Sequence, residues 1–331
     1  MKVSKHICVY SLSSINSGDV MRENKIVGIG ANVFDTLYTV DTYPTEDTKM
    51  RANTVKASGG GPCATGLVAA SKLGGSCAFI GNISDDNGAK FLKEDFEKYG
   101  VDTEYINIKS GYDTFCSCIW LAQDTTSRTC VFYRGNVPPT EIDENMAQAI
   151  ANAEILMVDG NDMEAAIEGA KIAKANNTKV LYDAGGLYEG VERLLPYADI
   201  LIPSEEFSLG HTGASTAEEA AKILYEKYSP EVVVITQGKK GGIIYDGEAV
   251  KSYPSFLVEA VDSNGSGDVF HGAFAFAITE KMSYNKACVF SSAVSALKCT
   301  KIGAREGVPS YEETIKFLKE RGSNEFKENL E

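Results

Sequence analysis

Short apolar runs alternate with helix-like stretches over most of the chain. The run from Lys25 to Gly30 has the composition of a buried strand, and a helical pattern begins at Pro62 and reaches Leu73. After residue 150 the alternation is regular, with strands at Ile155–Val158, Lys179–Tyr182, Ile200–Ile202 and Val232–Thr236 and helices near 163–175, 190–196, 216–228, 267–280, 284–299 and 311–320. Apolar strands separated by helices are typical of a mainly parallel sheet covered by helices on both faces. The pattern therefore predicts an α/β fold.

Residues 104–134 interrupt this alternation. Strand-like runs at Tyr105–Ile108, Phe115–Ala122 and Thr129–Tyr133 follow one another with polar turns between them and no helix. The segment 34–58 is also rich in β-branched and aromatic residues, so it is expected to be extended. Together the two segments predict a small β-sheet lid attached to the α/β core.

The first 24 residues are polar and mixed, and they lack the apolar core of a signal peptide. Organised pattern begins at Lys25, so we expect an N-terminal extension over 1–24 and one folded domain over 25–331. No apolar run approaches the length of a membrane span. These observations predict a cytoplasmic protein without a membrane partner.

The composition and net charge of the chain indicate which kinds of partner it can bind. The 331 residues carry a net charge of −14, and a field of that sign repels nucleic acid and anionic membrane surfaces. Neither is therefore expected as a partner. The eight cysteines are scattered along the chain, which favours reduced thiols in the cytoplasm. An anionic nucleotide would need local compensation from Mg²⁺, helix N-termini or a few basic side chains.

The strongest chemical signal is the segment from Asp262 to Asp268. The small residues Gly265, Ser266 and Gly267 open directly into an apolar helix, so backbone N–H groups at the helix start can approach an anion closely. Asp268 falls in the first helical turn, where a carboxylate could take a hydroxyl proton while these N–H groups stabilise a transferring phosphoryl group. The same residues are equally consistent with an ordinary helix N-cap.

This segment resembles the Asp-Thr-x-Gly-Ala-Gly-Asp signature of the ribokinase-like (PfkB) carbohydrate kinases, with Ser263 and Ser266 in place of the usual Thr and Ala. The resemblance implies a three-layer α/β/α core with a small β lid. It also implies transfer of the γ-phosphate of ATP, with Mg²⁺, to a primary hydroxyl of a sugar or sugar-like polyol. Asp268 would be the catalytic base, and Gly265, Ser266 and Gly267 would form the anion hole.

The run from Ser58 to Gly74 is similar to the N-terminal Gly-Gly signature of the same family. Gly60 and Gly61 would let the backbone approach a polyol and donate N–H groups to its hydroxyls, although the run by itself also fits a plain turn before a helix. Thr65 stands where most members carry Asn. Asp35 falls where the family places an aspartate that accepts hydrogen bonds from sugar hydroxyls.

The resemblance extends to the nucleotide site. Thr236, Gly238 and Gly241 match a Thr-x-Gly-x-x-Gly segment, in which glycine at a strand end leaves room for adenine and ribose. Such a segment alone is also typical of a hairpin turn. The family's Asn-x-x-Glu segment, which bears on Mg²⁺, has Ser204 and Phe207 at its two characteristic positions here.

Glu205 and Glu206 are the remaining candidates for binding the metal. The sequence does not decide which residues bind it. Some relatives carry a monovalent cation such as K⁺, which would lie near Asp262 and the loop Gly303–Gly307. Many relatives also form homodimers through their lids, so a homodimer is expected.

Motif details at Ser58–Thr65 and Ala296–Thr300 resemble the branch of the family that contains sulfofructose kinases. On that reading Lys49 is a candidate contact to an anionic substituent of the substrate, and Arg128 and Arg134 are further cations of the lid. A solvated lysine on a lid segment is the other interpretation of Lys49.

Alternative functions remain open. Nucleoside kinases and vitamin-type alcohol kinases share the fold that the resemblance implies. A catalytically idle sugar-binding sensor is a third alternative, which the departures at Thr65, Ser204 and Phe207 favour and the intact Asp268 disfavours.

Overall fold

A computed structural model describes residues 24–125, 127–187, 190–323 and 326. The predicted N-terminal extension lies outside these residues except for Asn24, which is buried and donates a hydrogen bond from its amide to the Asp102 carboxylate (3.0 Å). The strands and helices of the described part, in chain order, are β1 Ile26–Ile29, β2 Val33–Val40, β3 Thr54–Gly60, α1 Pro62–Lys72, β4 Cys77–Ser84, α2 Asn87–Lys98, β5 Val101–Asp102, β6 Ile106–Lys109, β7 Cys116–Ala122, β8 Ser127–Tyr133, α3 Glu144–Asn152, β9 Ile155–Val158, α4 Met163–Ala175, β10 Lys179–Ala184, β11 Ile200–Pro203, α5 Glu205–Thr212, α6 Ala217–Tyr228, β12 Val232–Thr236, β13 Gly242–Tyr245, β14 Lys251–Tyr253, α7 Ser266–Thr279, α8 Tyr284–Lys298 and α9 Tyr311–Glu320.

The main sheet has the strand order β14-β13-β12-β11-β10-β9-β1-β4-β5, with β6 also paired to β4. The pairs from β12 through β5 are parallel, and β13 and β14 are antiparallel additions at one edge. Successive residues of β1 and β9 point to opposite faces, and each face is covered by its own apolar cluster. Helices α1, α7 and α8 cover one face, and α4 and α6 cover the other. The predicted α/β fold is confirmed.

A second sheet of four strands, in the order β3-β2-β7-β8, forms the lid. Strands β2 and β7 pair in parallel with Asp35 opposite Ser117, and β3 and β8 pair antiparallel to them on the two sides. The predicted strand at Tyr105–Ile108, which we grouped with the lid, is different. It forms β6 and pairs with β4 of the main sheet. Strand composition predicts extended backbone, but it does not say which sheet a strand joins.

The helix predicted near 190–196 is two short 3₁₀ turns, Val191–Arg193 and Leu195–Tyr197. Pro196 has no N–H for a helical hydrogen bond, which accounts for the break. Helices α3 and α5 were not predicted from the sequence. In α3 the two buried apolar residues are Met146 and Ile150, one helical turn apart, and the Asp143 side chain accepts a hydrogen bond from Met146 N as the N-cap.

Within the described ranges, no helix combines the length and the apolar composition that a bilayer crossing requires.

Candidate active site

The candidate site lies at the edge of the main sheet where its parallel strands end. Gly30 follows β1, Asp159 follows β9, and Asp183 lies near the end of β10. Thr236 ends β12 and bridges to Ser204, which follows β11. Ligands of open α/β sheets bind at this edge, outside the carboxyl ends of the strands.

Helix α7 begins at the predicted glycine loop. Gly265 is its N-cap with φ of 72°, and no side chain among the described residues caps the helix. A side chain at Gly265 would also collide with Ala304, so this position requires glycine. Six other helices do have a side-chain cap, from Asp86, Asp143, Ser204, Thr216, Ser283 and Ser310. The first turn of α7, with Ser266, Gly267 and Asp268, therefore has the open amide end that suits an anion.

Asp268 is partly exposed in this first turn. Burial raises the pKa of its carboxyl, with His271 lowering that pKa and Asp159 raising it. The guanidinium of Arg128, on lid strand β8, also lowers the pKa of Asp268. The charges of Arg128 on the lid and of Asp268 on α7 are therefore near enough to influence each other. A carboxylate with a raised pKa is a better proton acceptor near neutral pH.

His271 ties the start of α7 to the main sheet. Its Nδ1 lies 2.6 Å from the carbonyl oxygen of Gly267 and 3.2 Å from the Asp183 carboxylate, and its Nε2 lies 2.9 Å from the carbonyl oxygen of Ile202. Burial raises the pKa of the Asp183 carboxyl well above its ordinary range, and the nearby His271 opposes that shift. Asp268 adds to it by its negative charge. The charge of Asp268 thus influences the ionisation of Asp183.

Asp35 lies on the inner face of lid strand β2 and is 5% exposed. The Ser117 hydroxyl donates a hydrogen bond to it (2.5 Å). Burial raises the pKa of Asp35 to about 6, while Ser117 and Arg305 lower the pKa and the charge of Asp268 raises it. The structure therefore brings Asp35 and Asp268 to the same cleft from opposite ends of the sequence.

The glycine turn presses against Asp35. A Cβ at Gly60 would overlap the Asp35 carboxylate, so only glycine fits there. Arg305 holds the turn from behind with its fully buried guanidinium, which donates hydrogen bonds to the carbonyl oxygen of Gly60 (2.7 Å), to the Asn32 side chain (2.8 Å) and to the Asp95 carboxylate (2.8 Å).

Gly61 and Thr65 follow this turn into α1. Gly61 is the helix N-cap, with φ of 93°. Thr65 is fully buried, and its hydroxyl has no hydrogen-bond partner among the described residues. The side-chain amide nitrogen of Asn32 is likewise buried and without a partner in that part of the chain. Buried polar atoms are nearly always paired, so these two atoms are exceptions, and of the two residues Asn32 lines a cavity.

The predicted nucleotide residues lie at the far end of the same edge. Thr236 is partly exposed, Gly238 is exposed with φ of 57°, and Gly241 is buried with φ of 87°. Glu205, partly buried at the start of α5, accepts a hydrogen bond from the Gln237 side chain (2.7 Å). The other metal candidate, Glu206, is exposed.

Lys49 lies apart from the lid strands. It is exposed in the loop 41–53 that joins β2 to β3. The lid residues of the cleft lie on the strands themselves, as Asp35 does.

Five residues of the cleft and its support were not singled out as site residues from the sequence: Asp159, Asp183, His271, Lys298 and Arg305. Lys298 had a local signal, because it is the only charged residue in the stretch 287–298, which otherwise holds apolar residues and three serines. Asp159 directly follows an apolar strand, which is also a recognisable position. Arg305 has no such signal, since its partners Asn32, Gly60 and Asp95 are remote in sequence.

Comparison with known proteins identifies the family of this chain. Residues 23–310 match the model described as pfkB family carbohydrate kinase. The ribokinase of Haemophilus influenzae is 32% identical, covering 78% of this chain and 87% of its own length. The chain belongs to the pfkB family of carbohydrate kinases. The expected family and the expected enzyme class, a phosphotransferase acting on a carbohydrate alcohol group, are confirmed.

A second relative and a solved structure are also similar to this chain over most of their length. The 5-dehydro-2-deoxygluconokinase of Clostridium botulinum is 28% identical, covering 85% of this chain and 91% of its own length. The solved structure of Arabidopsis thaliana ribokinase complexed with ribose and ATP superposes with a TM-score of 0.80, at 24% identity, covering 89% of this chain and 99% of that one. The superposition shows that the two chains share a fold.

The pKa of Asp35 is directly measurable without a known substrate. We expect the carboxyl carbon of Asp35 to titrate with a pKa of about 6 in ¹³C spectra of protein with labelled aspartate, assigned with Asp35→Asn. Ser117→Ala should raise this pKa further, because it removes a hydrogen bond that favours the charged form.

Ser58→Ala is the matched control, since Ser58 also lies opposite Asp35 in the lid sheet but donates its hydroxyl hydrogen bonds to Gly59 O and Glu306. An Asp35 pKa near the ordinary aspartate value, or one that Ser117→Ala leaves in place, would contradict the electrostatic picture of the cleft.

Proposed function

We propose that this carbohydrate kinase transfers the γ-phosphate of ATP to a primary hydroxyl of a sugar or sugar-like polyol, with Asp268 as general base. The observation that carries the proposal is the shared cleft of Asp35 and Asp268, with a glycine turn beside one carboxylate and the uncapped start of α7 beside the other. Asp268 would take the hydroxyl proton as the phosphoryl group leaves ATP. The N–H groups of Gly265, Ser266 and Gly267 would stabilise the phosphoryl charge.

The sugar would bind between Asp35 and the turn at Gly60 and Gly61. Asp35 accepts hydrogen bonds when ionised, and sugar hydroxyls donate them. Asn32 lines a cavity, and its side-chain amide nitrogen has no partner among the described residues, which supports this placement because sugar hydroxyls accept hydrogen bonds.

ATP would lie along Thr236, Gly238 and Gly241, with its phosphates toward α7. Among the described residues, no three His, Cys, Asp or Glu side chains form a group that could hold a metal ion. Mg²⁺ commonly keeps several waters and binds through one or two carboxylates together with substrate phosphates, so this site chemistry fits it. Glu205 is the better placed of the two glutamate candidates, because it contacts Gln237 within the nucleotide segment. A cytoplasmic location, where ATP is available, completes the proposal.

Asp268→Asn tests the base. Asparagine preserves the shape and the helix-start position, so the melting temperature should stay close to wild type. Turnover should fall by about 10²–10⁴-fold, the usual contribution of a general base. ATP affinity should change little or even improve, since the substitution removes a negative charge near the γ-phosphate. Steady-state kinetics and calorimetric ATP titration measure both quantities.

Asp143→Asn, an aspartate-to-asparagine change at the N-cap of α3, is the control and should keep wild-type kinetics. Near-normal turnover of Asp268→Asn on the best substrate would show that the base is another group.

The substrate class is decided by ATP consumption across ketoses, aldoses, sugar acids, sulfosugars and nucleosides. Turnover of a neutral sugar supports the main proposal. Preference for a nucleoside or a sulfosugar supports the alternative kinases of this fold. Tight sugar binding by calorimetry with no turnover of any substrate would instead support the sugar sensor.

Lys49 is proposed as a contact to an anionic substituent, following the resemblance to the sulfofructose kinase branch. Its exposed place in the loop 41–53 lets it reach toward a substrate only if that loop folds over the cleft. Lys49→Ala should therefore raise KM for a sulfonated or carboxylated sugar and leave KM for neutral sugars unchanged. An equal rise for both kinds of sugar would point to a role in lid folding.

We also propose a homodimer formed through the lid. Strand β8 is an edge strand with all seven residues exposed, and Val131, Phe132 and Tyr133 are each more than half exposed. An apolar edge strand is a template for pairing with a second chain. Val131→Lys should convert the dimer to monomer in analytical ultracentrifugation, whereas Ile108→Lys, at an equally exposed position of β6, should leave it intact. A monomeric wild type would refute the proposal.

A further inference from the structure

Lys298 is a fully buried lysine at the end of α8. Its ammonium donates hydrogen bonds to the carbonyl oxygens of Asp262 (2.8 Å) and Asn264 and lies 3.9 Å from the Asp262 carboxylate. Burial of an ammonium group is costly unless it is paired and hydrogen-bonded. Burial lowers the pKa of Lys298, and the Asp262 carboxylate opposes that shift.

The oxygen atoms around this ammonium are arranged by the backbone. Asp262 accepts hydrogen bonds from the N–H of Asn264 (2.8 Å) and from the N–H of Gly303 (2.9 Å), so its carboxylate is locked between the two loops. Carbonyl oxygens and a carboxylate that converge on one buried point are ligands for a cation. Here the cation is the ammonium group of Lys298.

A free monovalent cation does not fit on these carbonyl oxygens. The position expected for the K⁺ of some relatives, near Asp262 and the loop Gly303–Gly307, is the position that the Lys298 ammonium takes. We propose that Lys298 replaces a monovalent cation as the positive charge under the anion loop, so that this kinase works without K⁺. That the loop binds the phosphoryl group rests on the proposed function. That the Lys298 ammonium occupies the cation position rests on its contacts alone.

The same contacts orient the loop. In a trans peptide the N–H of one residue points opposite to the preceding carbonyl. Lys298 draws the carbonyl oxygen of Asn264 toward α8, and the Ser295 hydroxyl draws that of Ser266 toward α8 (2.8 Å). The N–H groups of Gly265 and Gly267 therefore point away from α8. These are N–H groups that the proposed function assigns to the phosphoryl group.

The test compares potassium salts with choline salts for the full-length chain. For the wild type we expect the melting temperature and turnover to be the same in both. Lys298→Ala removes the ammonium and opens space beside the carbonyl oxygens. In choline we expect a lower melting temperature and a loss of turnover of about 10–100-fold, as for other residues that support a reacting group. Potassium should restore both.

Lys298→Met fills the same space without a charge, so it should lose turnover and gain no response to potassium. Lys286→Ala, elsewhere on α8, is the control and should behave as wild type in both salts. If Lys298→Ala does not fold in either salt, the turnover of Lys298→Met is measured instead. Wild-type turnover of Lys298→Met would overturn the proposal.

A wild type whose melting temperature or turnover rises with potassium would also overturn it. If no sugar is phosphorylated at all, the proposed function fails while the melting temperatures of wild type and variants in the two salts still decide the role of Lys298.

Discussion

Helices α1 and α7 approach each other through two glycines, and the cleft depends on that contact. A Cβ at Gly272 of α7 would overlap the backbone of Gly66 in α1, and Gly66 in turn faces the carbonyl oxygen of Asp268. Both helices begin at the carboxyl edge of the main sheet, α1 after the turn at Gly60 and α7 after the loop at Gly265. Because side chains are absent at the crossing, the two helix starts lie close enough to serve one small substrate.

The cleft concentrates carboxylates in a protein that is already strongly acidic. Burial raises the pKa of Asp35, Asp159, Asp183 and Asp268, and the negative charges of several of these groups add to that shift in their neighbours. Such a cleft would repel ATP without local positive charge. The structure supplies that charge through the amide end of α7, through Arg128 from the lid and through buried cations beneath the loops.

Buried cations serve a common purpose at the two glycine segments. Arg305 holds the carbonyl oxygen of Gly60 beside Asp35, and Lys298 holds the carbonyl oxygens of Asp262 and Asn264 beneath Asp268. In both cases a buried cation binds backbone carbonyls and so leaves the amides of the same segment to point elsewhere. The geometry of both glycine segments thus depends on buried charged groups behind them.

The sequence alone determined the elements and the chemistry of local segments. Apolar runs and helical spacing predicted β1, β9, β10, β11 and β12 to within two residues and α4, α6, α7, α8 and α9 to within one, because buried positions recur along the chain with the period of the element. The loop before Asp268 was recognisable because its glycines and its carboxylate are adjacent in the chain.

The tertiary structure decided what pairs with what. Strand β6 joined the main sheet although its composition matched the lid, since a strand's own pattern does not specify its partner. Arg305 meets Asp95 across 210 positions, and Lys298 meets Asp262 across 36. A charged residue in a sequence shows only that, if it is buried, it must be paired or hydrogen-bonded. Which carbonyl or carboxylate compensates it depends on how distant segments pack, and that packing is a property of the whole fold.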